Sequence, residues 1–240
     1  MINKKVIFQA KNIYKSVKGH FLIDNANFSI LENRIHILVG ENGAGKSTLM
    51  KICTGGDLDF EGTLFFDGQN LDSIEKPKSF LFFNTHIKFP YYLSAINYIR
   101  EYCRLFTGRK INKNLVIKKF KEYGLELKMK NNPNTFSSGE KKKLILLFSE
   151  IAKPQLLFLD EPDSNLDPTA RKMLYLKLRE FTKAGITIFI SSHLIDEIRH
   201  YVDDATFIKR GKIIWTGPIV NRDDLTYIYN QHLLYDKEYK

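Results

Sequence analysis

Eight residues constrain this chain more than any others: Gly40-Glu41-Asn42-Gly43-Ala44-Gly45-Lys46-Ser47, set between an apolar run, Ile35-His36-Ile37-Leu38-Val39, and a helix-like segment, residues 46–52. Gly43 and Gly45 allow the backbone to fold so closely that consecutive N–H groups point into one concavity, an anion cradle at a helix N-terminus. Lys46 adds a point charge suited to β- and γ-phosphates. The Ser47 hydroxyl is suited to a Mg²⁺ ion that accompanies them, and Thr48 extends the same turn. Strand, glycine-rich loop and helix in that order predict a P-loop nucleotide site in an α/β fold.

The rest of the chain supports that fold class. Val6-Ile7-Phe8, Phe28-Ser29-Ile30-Leu31 and Thr63-Leu64-Phe65-Phe66 read as strands of a smaller, mostly antiparallel sheet. Tyr92, Ile96, Ile99, Cys103 and Phe106 recur at four- and three-residue steps, and Val116, Phe120 and Tyr123 repeat that pattern ahead of a capping Gly124. A helical subdomain over about residues 91–134 is therefore expected within one domain, 1–240. Beyond it, a helix over residues 139–151, an apolar strand ending at Asp160, a helix from Pro168 and a second apolar strand ending before His193 alternate. Such alternation implies a parallel sheet covered by helices, with ligands at the carboxyl ends of the strands. Thr206-Phe207-Ile208 and Lys212-Ile213-Ile214-Trp215 read as a hairpin turning at Arg210-Gly211.

Two further segments carry chemistry. Asp160 and Glu161 close the strand Leu156-Leu157-Phe158-Leu159, and adjacent acids there are costly unless a cation or substrate uses them. Beside a P-loop, Asp160 suits the Mg²⁺ shell, and Glu161 could orient and deprotonate an attacking water. Ser137-Ser138-Gly139-Glu140 opens a helix: Ser137 and Glu140 fit a capping box, and the helix start is also an anion site.

Bulk properties bound the reading. A length of 240 residues suits one well-buried domain. No segment approaches the ~18 apolar residues of a membrane span, the start lacks a secretory pattern, and two cysteines offer no disulfide or metal framework, so a cytosolic protein is expected. The net charge of +10 leaves open a lysine-rich solvated exterior, a membrane-adjacent role or nucleic acid.

Taken in order, these motifs resemble the nucleotide-binding subunits of the ATP-binding-cassette (ABC) family over nearly the whole chain. Residues 40–47 resemble its Walker A loop, and residues 156–160 with Glu161 its Walker B strand and catalytic glutamate. Ser137 to Glu140 stand at its signature motif, the most specific of these. Asp167, in Ser164-Asn165-Leu166-Asp167, resembles the D-loop residue, His193 the switch histidine, and Tyr14 the aromatic that stacks on adenine. The resemblance implies ATP bound by Tyr14 and residues 40–48, and Mg²⁺ near Ser47 and Asp160. It implies hydrolysis using Glu161 and His193, and head-to-tail pairing in which one subunit's signature helix completes its partner's site.

Two departures stand out. Ser138 replaces a signature glycine, and Asn84 stands where the family carries a glutamine that touches the metal and reports to the membrane partner. The resemblance further implies an ATPase subunit of a bacterial exporter, held at the inner face of the membrane by separate permease subunits that dock near Asn84 and Phe89-Pro90-Tyr91-Tyr92-Leu93. No nucleic-acid partner is expected. Rival readings are a soluble cassette protein acting on nucleic acid or ribosomes, and a regulatory switch of low turnover.

Overall fold

The computed structural model describes residues 5–71, 79–84, 87–221 and 224–231. Two sheets carry the fold. A four-stranded antiparallel sheet has the order β2-β1-β4-β5, from β1 (Val6–Val17), β2 (His20–Leu31), β4 (Glu61–Phe66) and β5 (Gln69–Asn70). A six-stranded sheet has the order β10-β9-β3-β8-β7-β6, from β3 (Ile35–Val39), β6 (Phe80–Asn84), β7 (Leu156–Asp160), β8 (Thr187–Ser191), β9 (Asp204–Lys209) and β10 (Lys212–Pro218). All of its pairings are parallel except the β9–β10 hairpin, which turns at Arg210 and Gly211, both with positive φ. Two consecutive residues of that kind give a turn whose twist matches the flanking strands.

The parallel strands are apolar along their whole length because both faces are covered. Alternate side chains feed two cores. Ile37, Leu157, Leu159, Ile188 and Ile190 face one core with helices α2 (Ala95–Thr107), α3 (Lys113–Glu122), α4 (Ser138–Ala152) and α5 (Pro168–Lys183). Leu38, Leu156, Phe158 and Phe189 face the other with α1 (Lys46–Cys53) and the antiparallel sheet, where Phe28 stacks on Phe189. The fold is thus a P-loop α/β core with an antiparallel β layer and a helical region.

The periodicity of the middle region extended one turn too far. α2 begins at Ala95, so Tyr92 lies outside it and is 84% exposed. The buried stripe of that helix is Ala95, Tyr98, Ile99 and Cys103. Tyr91 and Tyr92 sit on a loop whose backbone is held by two asparagines. Asn132 Nδ2 donates to the carbonyls of Pro90, Tyr91 and Leu93, each at 2.9 Å. Asn134 exchanges hydrogen bonds with the backbone of Phe89. No helix among the described residues is long and apolar enough to cross a membrane.

Candidate active site

The glycine-rich loop leaves β3 and enters α1 at the carboxyl edge of the six-stranded sheet. Two of its glycines are dictated by close approach. A Cβ on Gly40 would lie 2.5 Å from the Ile208 carbonyl oxygen, and one on Gly45 would lie 2.9 Å from the Leu22 carbonyl oxygen. Gly45 also has φ 108, which L side chains rarely adopt. From outside the loop, the Gly211 N–H of the β9–β10 turn donates to the Ala44 carbonyl at 2.9 Å. The loop is therefore gripped by β2 on one side and the C-terminal hairpin on the other. Glu41, Asn42 and Gly43 are exposed at its crest, as is Ser47 at the start of α1, with Thr48 half-buried beside it.

Lys46 is buried beneath that crest. Its ammonium donates to the carbonyls of Gly40 at 2.8 Å and Glu41 at 3.1 Å and lies 4.0 Å from Glu161 Oε1. Burial lowers its pKa, opposed by the charges of Glu161 and Asp160. The cation thus spans the loop and the acidic strand end.

That strand end is fixed by register. Asn84 on the edge strand β6 pairs with Asp160 on β7, and Asp160 pairs with Ser191 on β8. Three polar residues therefore stand abreast at one edge. Ser191 Oγ donates to Asp160 Oδ1 at 2.6 Å and accepts from the Glu161 N–H at 2.9 Å. Glu161 has φ 49, a left-handed conformation that costs a non-glycine residue roughly 1–2 kcal/mol. The Ser191 hydroxyl helps to hold it there. A cavity of about 170 Å³ joins Asn84, Asp160, Ser138, Lys142 and Asn165, so the edge and the start of α4 share one space.

Ser137 caps α4 as its sequence predicts. It accepts from the Glu140 N–H at 3.2 Å, and Glu140 Oε2 accepts from the Ser137 N–H at 2.8 Å. The second bond holds the Glu140 carboxyl below its usual range. Ser137 and Ser138 are exposed, and a Cβ on Gly139 would meet nothing within 4 Å, so this helix start presents an open surface. Asp167 caps α5 by accepting from the Ala170 N–H at 2.9 Å. His193, exposed, follows β8 at the same edge.

Tyr14 lies on β1, half-buried, with Phe21 of β2 edge-on at 6.5 Å between ring centroids. Phe21 is 59% exposed and directly precedes Leu22, whose carbonyl backs Gly45. Sequence reasoning missed Phe21, because one aromatic in a β-rich segment carries no signal of its own. It also missed Ser191, whose partners Asp160 and Glu161 lie 31 and 30 positions away in sequence.

The ABC transporter family model matches residues 23–164. Over 96% of this chain and 99% of its own length, the lantibiotic transport ATP-binding protein SrtF of Streptococcus pyogenes is 30% identical. The chain belongs to the ABC transporter family. The xylose import ATP-binding protein XylG of Thermoanaerobacter pseudethanolicus is 31% identical over 88% of this chain, but over only 44% of its own length. A solved ATP-binding subunit of an ABC transporter superposes with a TM-score of 0.79 at 22% identity, covering 94% of each chain, and so shares the fold. As an ABC cassette the chain is an ATPase: it binds ATP and hydrolyses it to power transport.

Proposed function

We propose that this ABC cassette works as one of a pair, bound to separate permease subunits at the inner face of a membrane, and that it drives export. The observation that carries the catalytic assignment is the row Asn84, Asp160 and Ser191, set beside a Lys46 that reaches both the loop carbonyls and Glu161. On this reading, the N–H groups of residues 40–48 and the Lys46 ammonium bind the triphosphate, and Tyr14, backed by Phe21, receives the adenine. Hydroxyl, carboxylate and amide oxygens of Ser47, Asp160 and Asn84 form a hard donor set that fits Mg²⁺, which would neutralise charge on the phosphate oxygens. Glu161 takes the proton of the attacking water, and His193 contacts the γ-phosphate. Ser137, Ser138, Gly139 and Glu140 face the nucleotide on the second copy, with Asp167 near that interface.

Export is supported by the end-to-end likeness to a single-cassette lantibiotic transport protein, against a partial match to a sugar importer. The docking surface is supported by Tyr91 and Tyr92, exposed on a loop that Asn132 and Asn134 hold rigid. Isolation of the chain from its native membrane should bring down an integral membrane protein. The paired substitutions Tyr91→Glu and Tyr92→Glu should release that protein while leaving the melting temperature unchanged. RNA or ribosomal proteins in its place would overturn the transport reading, and an intact complex in the double variant would overturn the docking site.

A further inference from the structure

Asp163 has no role in the site as described, yet its side chain is fully buried at the heart of it. Its Oδ2 accepts from the Tyr175 hydroxyl of α5 at 2.6 Å and from the Ser192 hydroxyl. Its Oδ1 is buried with no hydrogen-bond partner among the described residues. A buried carboxylate with one oxygen unmatched is costly, and it persists where something else depends on it.

What depends on it is the segment that follows β8. Ser192 Oγ donates to Asp163 and accepts from the Leu194 N–H at 3.0 Å. One hydroxyl therefore fixes the residues on both sides of His193. Ser191 is held in parallel by Asp160 and the Glu161 N–H. The acidic segment after β7 thus clamps the His193 segment at two consecutive serines while leaving the imidazole exposed.

A third element joins through Lys142 of α4. Its ammonium donates to the Ser164 carbonyl, whose own N–H and hydroxyl both donate to the Glu161 carbonyl. Burial lowers the Lys142 pKa and the Asp163 charge opposes it, which places the two groups within electrostatic reach. The signature helix therefore reaches the Glu161 turn through Lys142 and Ser164, and in that same turn the neighbouring Asp163 carboxylate holds the His193 segment through Ser192.

We infer that Asp163 is a positioning residue for hydrolysis, which sets the aim of His193 through Ser192 and, with Lys142, links that aim to the signature helix. The inference rests on the role proposed above for His193. The full chain is assayed as Ser192→Ala, Asp163→Asn, His193→Gln and the double variant Ser192→Ala/His193→Gln, in single-turnover as well as steady-state ATPase measurements. A misplaced group costs up to about a hundredfold in rate, so Ser192→Ala is expected to lower kcat by about tenfold with the KM for ATP within about twofold. Asp163→Asn, which keeps one acceptor oxygen, should fall between it and the parent. Residues that act as a unit are non-additive, so the double variant should be no slower than His193→Gln alone. Thermal melts within about 3 °C of the parent separate positioning from unfolding. A parental rate in His193→Gln would remove the His193 role and this inference with it. A slow His193→Gln combined with a parental Ser192→Ala, or with a double variant slower by the product of the two effects, would overturn the inference alone.

Discussion

The carboxyl edge of the parallel sheet and the junction of α3, α4 and α5 are both networks of charged and polar groups, but they are built on opposite plans. At the edge, side chains and backbone groups at the strand ends satisfy one another in pairs: Lys46 with the Gly40 carbonyl, Ser191 with Asp160, Ser164 with the Glu161 carbonyl. At the junction, Glu150 of α4 gathers long side chains from two other helices. Lys119 reaches it at 2.6 Å, Tyr123 at 2.5 Å and Lys177 at 3.0 Å, with Glu122 and Glu180 sharing the lysines. Burial pushes the Glu150 carboxyl up, yet the hydrogen bonds from Lys119, Tyr123 and Lys177 outweigh it and hold the group at about 2. The first plan leaves groups poised for an incoming substrate; the second exhausts its groups in holding helices together. Substitutions at the edge should therefore change chemistry more than stability, and at the junction the reverse.

The sharpest break comes at the edge. Glu161→Gln should retain ATP binding but lower hydrolysis by about a thousandfold, in line with the loss of a general base, and the doubly loaded pair should accumulate as an ATP-dependent doubling of mass. Hydrolysis at the parental rate would remove Glu161 from the base role. Lys46→Ala should weaken ATP binding by about a hundredfold, roughly the worth of one charge-assisted contact, as read by nucleotide titration, while the melting temperature without nucleotide stays near the parent's.

At the junction the effect is smaller and lies in folding. A carboxyl depressed to about 2 from the ordinary 4.5 contributes about 3 kcal/mol when ionised. That contribution is complete above the unfolded value and is lost as pH falls toward the folded one. Glu150→Gln should cost ~2 kcal/mol by urea unfolding at pH 7 and leave ATP affinity unchanged. By pH 3 the gap between parent and variant should shrink to less than half. A gap that stays constant with pH would mean that packing, and not charge, is lost.

Smallest is the effect at Asn84, which stands in register with Asp160 on the outermost strand of the parallel sheet. Its side chain is one methylene shorter than glutamine, about 1.5 Å. Low basal turnover that the membrane partner stimulates is expected, and Asn84→Gln should raise the basal rate by about three- to tenfold while shrinking the stimulation. An unchanged basal rate with full stimulation would separate Asn84 from coupling.

How legible each region was in the sequence follows from the same contrast. The glycine-rich loop and the Ser137–Glu140 box were readable because their partners lie within a few residues, where spacing alone dictates geometry, and the acidic strand end because two adjacent acids close an apolar run. The buried strands of the parallel sheet were readable from apolar runs such as Leu156 to Leu159. Asp163 was not, because next to Pro162 and Ser164 it reads as a turn residue while its partners stand 12 and 29 positions away. Glu150 was hidden for the same reason, its lysines arriving from separate helices. Tyr92 misled because a four-residue step to Ile96 mimics a helical face; the helix begins only after Ser94, its N-cap.

The position of β3 carries a consequence for how the protein comes into being. The strand that delivers the phosphate loop has only β8 and β9 as neighbours, and their first residues, Thr187 and Asp204, follow its last, Val39, by well over half the chain. Gly40 is likewise shaped against Ile208, and Ala44 is held by Gly211. On the ribosome, the loop is therefore among the first motifs made and among the last to take shape. Its scaffold is only half built, by β2, until the β9–β10 hairpin emerges, so nucleotide cannot template the nascent chain and becomes a late selector for molecules that have already closed their sheet.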